Sequence, residues 1–118
     1  MEPTAFAPVE MLRTSRIRSR SSLNQVSRMF RAMGDDKRLE ILLLLSEKEM
    51  HVSAICEAME LNQPAVSHHL TQLRNADLVE CYRQGKYKFY RVAAEALNET
   101  LRSVFPESIG VASRERDE

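Results

Sequence analysis

Residues 61–75, LNQPAVSHHLTQLRN, decide how this chain is read. At about 100° per residue, a helix over them puts Val66, Leu70 and Leu73 on one side and Pro64, His68, Thr71, Gln72 and Asn75 on the other. The first side needs a core. The second offers short hydrogen-bonding groups and no carboxylate, although Glu60 and Asp77 stand just outside it. A helix face that only meets solvent usually carries Glu and Lys pairs. A polar face without carboxylates suits phosphates and base edges.

Working back from this stretch, Asn62 is the expected cap of the helix, and Pro64 is tolerated because first-turn N–H groups have no intrahelical acceptor. Leu61 fills a turn, and a short helix precedes it to about residue 59, capped by Ser53, with Ile55, Cys56 and Met59 turned inward. Two helices joined by so short a turn, the second polar on its outer side, form a helix-turn-helix. Earlier still, Leu23, Val26, Met29, Phe30 and Met33 recur at helical spacing over residues 23–33, and Gly34 stops that helix. Asp35 caps the next one, about residues 36–46. With Leu39, Ile41, Leu42, Leu43, Leu44 and Leu45 it is apolar around most of its circumference and is expected to be the most buried element.

Working forward, the period changes after Asp77. Residues 78–83 and 86–92 are rich in Val, Tyr and Phe, and Gln84-Gly85 between them predicts a tight hairpin turn or a slightly longer loop. The hairpin tip carries Arg83 and Lys86, with Lys88 further along and Tyr82, Tyr87, Phe89 and Tyr90 interleaved. Most of those aromatics are expected to pack the sheet onto the helices, because a two-stranded ribbon is marginal alone. A last helix over residues 94–105 places Leu97, Leu101, Val104 and Phe105 on one stripe, and Pro106 helps end it. The fold class is therefore mainly α with a small β-hairpin, in the order of a winged helix-turn-helix.

The 118 residues suffice for one domain with tails. Residues 1–22 hold four arginines, two prolines and a serine cluster, and read as a mobile basic arm, a disordered tail first and an arm that settles on DNA as the alternative. The domain covers residues 23–105, and residues 106–118 read as a disordered tail. Seventeen basic residues balance seventeen acidic ones, so the chain does not coat nucleic acid uniformly, and any basic site has to come from segregated charge. Residues 81–94 show it: Arg83, Lys86, Lys88 and Arg91 without one acid. Cys56 and Cys81 lie far apart and outside any C-x-x-C pattern, which excludes a disulfide framework and a zinc knuckle. No apolar run reaches the roughly 20 residues of a membrane span, and no signal peptide opens the chain, so a cytoplasmic location without membrane contact is expected. No Gly-rich phosphate loop, nucleophile elbow or clustered acid and base supports an enzyme.

Three blocks, MFRAMGDDKRLEILLLL at 29–45, NQPAVSHHLTQLRNADLVE at 62–80 and RQGKYKFYRV at 83–92, resemble the ArsR/SmtB-type bacterial repressors over roughly residues 23–105. The resemblance implies a homodimer that pairs its first and last helices and sets two recognition helices into successive major grooves of an imperfect palindrome in double-stranded DNA. The two terminal stripes, more apolar surface than a monomer of this size needs to bury, point the same way. By position in the family pattern, Gln63, Ser67 and His68 touch phosphates and base edges. The helical wheel agrees for His68, places Ser67 at the flank and puts His69 on a shoulder near the core, where a half-buried packing role is expected.

The full expected DNA-binding set is Gln63, Pro64, Ser67, His68, Thr71, Gln72, Arg74, Arg83, Lys86 and Lys88, with Arg74 at the flank suited to a phosphate or to an acidic partner. Many relatives sense metals, but the family's Cys-x-Cys positions fall here on His51 and Ser53, residues 1–50 supply no Cys or His, and the last helix offers only Glu95 and Glu99. No metal and no cofactor is expected. Cys56 reads as a small core residue, whereas Cys81, beside Arg83, is the better candidate for a thiol-based response, since nearby positive charge favours the thiolate. The reading is a sequence-specific repressor released by a signal the sequence does not name. The alternative is a winged helix whose polar face meets a partner protein instead of DNA.

Overall fold

The computed structural model describes residues 20–105, so the expectations for residues 1–19 and 106–118 lie outside the described residues. Helix α1 (Arg20–Met33) leads to α2 (Asp36–Glu47), strand β1 (Met50–His51), α3 (Val52–Met59), α4 (Gln63–Asn75), β2 (Val79–Gln84), β3 (Tyr87–Val92) and α5 (Ala94–Arg102). This is a winged helix-turn-helix. The sheet is antiparallel and three-stranded in the order β1-β3-β2, one strand more than the expected hairpin. β1 is too short to leave a period in the sequence, and it forms because Met50 and His51 pair with Tyr90 and Phe89.

Helix α1 begins at Arg20, three residues earlier than the apolar spacing indicates, and buries Val26, Met29 and Ala32. Phe30 points away from that core, 49% exposed, and meets Phe105 edge-on at 6.2 Å. Asp35 caps α2 as expected, its carboxylate accepting from Arg38 N at 3.0 Å. The prediction that α2 is the most buried element fails on one side. Ile41, Leu42 and Leu45 are buried, but Leu39 is 39% and Leu43 58% exposed, because the core touches only one face of the helix.

The cap of α3 differs from expectation as well. His51, not Ser53, takes the position: its Nδ1 accepts from Ala54 N at 3.3 Å. The β1–β3 pairing fixes the entry of the chain two residues earlier than sequence alone suggests. Helix α3 ends on Glu60 in the left-handed region (φ 57). Leu61 then turns the chain and Asn62 caps α4, its Oδ1 accepting from Ala65 N at 2.9 Å.

Helix α4 ends in a Schellman motif. Leu78 N donates to Leu73 O at 3.0 Å and Asp77 N to Arg74 O at 2.9 Å, with Asp77 at φ 61. The hairpin turn is Gly85-Lys86, shifted by one residue from the expected Gln84-Gly85, since Gln84 still pairs with Tyr87. Only Gly85 of the two has a positive φ (64), the pattern of a type II′ turn, which matches the twist of the flanking strands. Helix α5 stops at Arg102, before the predicted residue 105, and none of its residues is fully buried. One core joins Met29, Ile41, Leu45, Ile55, Val66, Leu70, Leu73 and Leu78, with Tyr90 closing it from the sheet.

Candidate nucleic-acid interface

The core fixes which way α4 faces. Val66, Leu70 and Leu73 are 0%, 1% and 0% exposed, so the helix cannot rotate without opening the centre of the domain. Every α4 residue expected at DNA consequently lies on the outside: Gln63, Pro64, Ser67, His68, Thr71, Gln72 and Arg74 are all exposed, as is Asn75. No carboxylate interrupts them along the helix. The first turn holds no acid, and Arg74 is in the last. Arg74 makes no ion pair among the described residues. Its charge does reach the Tyr90 phenol, countering in part the upward push that burial and then Cys81 give that group.

Strand alternation sorts the wing. Arg83 and Lys88 are direct cross-strand partners on the side shared with Cys81 and Tyr90, while Tyr82, Phe89 and Tyr87 take the other side. Arg83, Lys86 and Lys88 are exposed, and none joins an ion pair among the described residues. Lys86 sits at the turn, its Nζ 5.5 Å from the centre of the Tyr87 ring. Arg91, the fourth cation of the acid-free run, is not available in the same way. Its Nε donates to Glu80 Oε2 at 3.0 Å and its Nη1 lies 3.9 Å from Glu49, contacts that raise its already high pKa, the Glu80 hydrogen bond first. A run without acids in sequence thus acquires two from neighbouring segments, and the free positive charge concentrates at the tip.

The aromatics do less core packing than expected. Tyr90 is buried, Tyr82 and Phe89 are half-buried, and Tyr87 is exposed. On the outer sheet face the His51 ring stacks on Tyr87 (4.8 Å) and meets Phe89 edge-on (5.5 Å), while Tyr82 stacks on Phe89 (5.8 Å). The Tyr82 hydroxyl donates to Glu49, which raises the phenol's pKa. These contacts brace the wing against the entry to α3. Sequence reasoning missed His51 in this role, because both its strand partner and its ring neighbours come from more than thirty residues away.

His69 is half-buried behind the polar outer face of α4, as its place on the wheel indicates, with Asp35 4.0 Å from its Nδ1. The two cysteines are free and half-buried, Cys56 on α3 and Cys81 on β2, both packed against the core. Among the described residues no group of three or more His, Cys, Asp or Glu is placed to hold a metal ion, and no helix is long and apolar enough to cross a membrane.

Residues 35–80, which span α2 to the start of β2, match the model of the bacterial regulatory protein, arsR family. The chain is 35% identical over 81 residues to the HTH-type transcriptional regulator MJ1325 of Methanocaldococcus jannaschii, an alignment covering 68% of this chain and 91% of that protein. It is 41% identical over 66 residues to the arsenical resistance operon repressor of Escherichia coli K12, covering 55% and 56% of the two chains. Several relatives are longer, and the aligned segment spans between a third and just over half of their length. Among solved structures, the homodimeric winged helix-turn-helix DNA-binding domain of Mb0332 from Mycobacterium bovis superposes with a TM-score of 0.65 at 34% identity, over 75% of this chain and 82% of that one. With the wing beside α4, and MJ1325 and the Mb0332 domain covered over most of their length, the chain belongs to the ArsR family of bacterial regulatory proteins.

Proposed function

We propose that the chain is a homodimeric, sequence-specific DNA-binding regulator that represses transcription by occupying a promoter and leaves it when a signal changes the angle between protomers. Gln63, Ser67, His68, Thr71 and Gln72 read or frame the major groove, and Pro64 lets the first turn of α4 approach the backbone. Arg74, Arg83, Lys86 and Lys88 hold phosphates. The observation that carries this reading is the Arg83–Lys88 pair. Like charges directly opposite across a hairpin destabilise it, and neither residue has an acid partner among the described residues. A polyanion beside the wing turns that repulsion into attraction.

The homodimeric state of the Mb0332 domain and the repressor named in Escherichia coli support the dimeric and repressive parts of the proposal. A dimer also covers the half-exposed Phe30 and the α5 stripe. The test is selection from a pool of random duplexes. The proposal expects enrichment of an imperfect palindrome whose half-sites lie about one helical turn, roughly 10 bp, apart, and a relaxed base preference for His68→Ala. A selected pool no different from the input overturns it.

A further inference from the structure

Among the described residues, one enclosed side-chain nitrogen is left without a hydrogen bond. His69 Nδ1 is enclosed and makes no hydrogen bond among the described residues, although a buried nitrogen in that state costs folding free energy. It faces Asp35 Oδ2 at 4.0 Å, an oxygen already held in place by the backbone N–H of Arg38 at 3.0 Å. A bare Nδ1 and a carboxylate are two acceptors and gain nothing from each other. A proton on Nδ1 reverses this, and closing the gap by about 1 Å gives a charge-assisted hydrogen bond.

We propose that His69 is a positioning residue for the recognition helix: its imidazolium closes on Asp35, ties α4 to the N-terminus of α2, and makes duplex binding proton-linked. The inference rests on the DNA-binding reading above for its functional half only. His69 follows Ser67 and His68 on the same helix, so phosphates docked against that face bring a negative potential that favours the imidazolium. By reciprocity, protonation then strengthens docking.

The surroundings are compatible with the pairing. The Arg38 guanidinium, whose Nε donates to Ala32 O at 2.7 Å, also acts on Asp35 and so competes with His69 for its charge. The His68 ring lies 5.9 Å from that of His69. Asp36 and Lys37 on the first turn of α2, and Glu57 and Glu60 on the α3 side, are exposed and screened by solvent. The backbone N–H of Arg38, then the positive charges of Arg38 and His69, hold the Asp35 carboxyl below the usual aspartate range against the opposing effect of desolvation. Asp35 therefore stays ionised wherever an imidazole titrates. An imidazolium that gains a carboxylate on folding adds stability in mild acid, and that stability is lost as the pH rises.

The experiment compares wild type with Asp35→Asn, which keeps a capping oxygen for α2 and removes the charge, and with His69→Gln. Urea unfolding of the DNA-free protein is followed between pH 6 and pH 8. Wild type is expected to gain about two- to fivefold in folding equilibrium constant on going to pH 6, relative to either variant, a size suited to a partly exposed pair. The double variant should show non-additivity at pH 6 and none at pH 8. Equal pH slopes in all three proteins overturn the pairing. Duplexes selected by the wild-type protein supply the second readout. Their affinity is expected to rise toward pH 6 more for wild type than for Asp35→Asn, a comparison in which any contribution common to both proteins cancels. Equal rises overturn the coupling to DNA. Failure to select any duplex defeats the DNA-binding reading instead, and the urea result still decides the pairing.

Discussion

Replacing Lys88 with Gln should make duplex binding less sensitive to salt by an amount that can be worked out beforehand. Each phosphate neutralised on a duplex contributes about 0.9 to the slope of log affinity against log salt. The proposed dimer presents two wings, so the substitution is expected to remove about 1.8 from the slope. Over a fourfold rise in salt, from about 50 to 200 mM, wild type should then lose roughly twelve times more affinity than Lys88→Gln. The same substitution relieves the direct opposition of Lys88 to Arg83, so the folded domain should be unchanged or more stable by a few tenths of a kcal/mol. Weaker binding thus cannot be ascribed to unfolding. Fluorescence anisotropy of a selected duplex at four salt concentrations gives the slope, and urea unfolding gives the stability. An unchanged slope in both Lys88→Gln and Arg83→Gln refutes the reasoning and removes the wing from the interface.

Three further outcomes are expected. Asp77→Gly should stabilise the domain by about 0.5 to 1 kcal/mol, seen as a thermal midpoint raised by roughly 4 °C, because glycine takes the left-handed position of the Schellman motif more easily than aspartate and, among the described residues, loses only the exposed Gln25 contact. His51→Ala should cost about 1 kcal/mol through the lost cap of α3, and His51→Asn should recover most of it by urea unfolding. Recovery absent in His51→Asn would assign the residue's value to its rings on Tyr87 and Phe89 instead. Phe30→Lys should raise the dimer dissociation constant about 30-fold by sedimentation. In the proposed dimer this ring, 49% exposed on the single chain, would be covered, at about 1 kcal/mol per protomer and twice per dimer.

The parts of this fold that were legible in the sequence are those in which one face of a regular element meets the core. Val66, Leu70 and Leu73 announce the orientation of α4 through spacing alone, and Asp35 and Asn62 announce caps through local chemistry. What escaped depends on partners distant in sequence. The α2 leucines look uniformly buried because composition does not say that only one side of the helix has a neighbour, and Leu39 and Leu43 face outward. β1 has two residues and no pattern, yet it moves the cap of α3 from Ser53 to His51. The hairpin turn slipped by one residue, since Gly85 can serve at either central position until the register of Gln84 with Tyr87 is known. At the site, exposure of the ten expected residues follows from periodicity, whereas the capture of Arg91 by Glu80 and Glu49 and the approach of Asp35 to His69 are facts of tertiary packing.

The central claim is that the carboxylate-free outer face of α4 enters a duplex groove. Backbone amide NMR of the intact protein, recorded with and without a selected duplex, tests it most directly. The account predicts that the largest perturbations fall on residues 62–75 and 83–88. Perturbations confined to α2 and α5, with residues 62–75 unmoved, would contradict it.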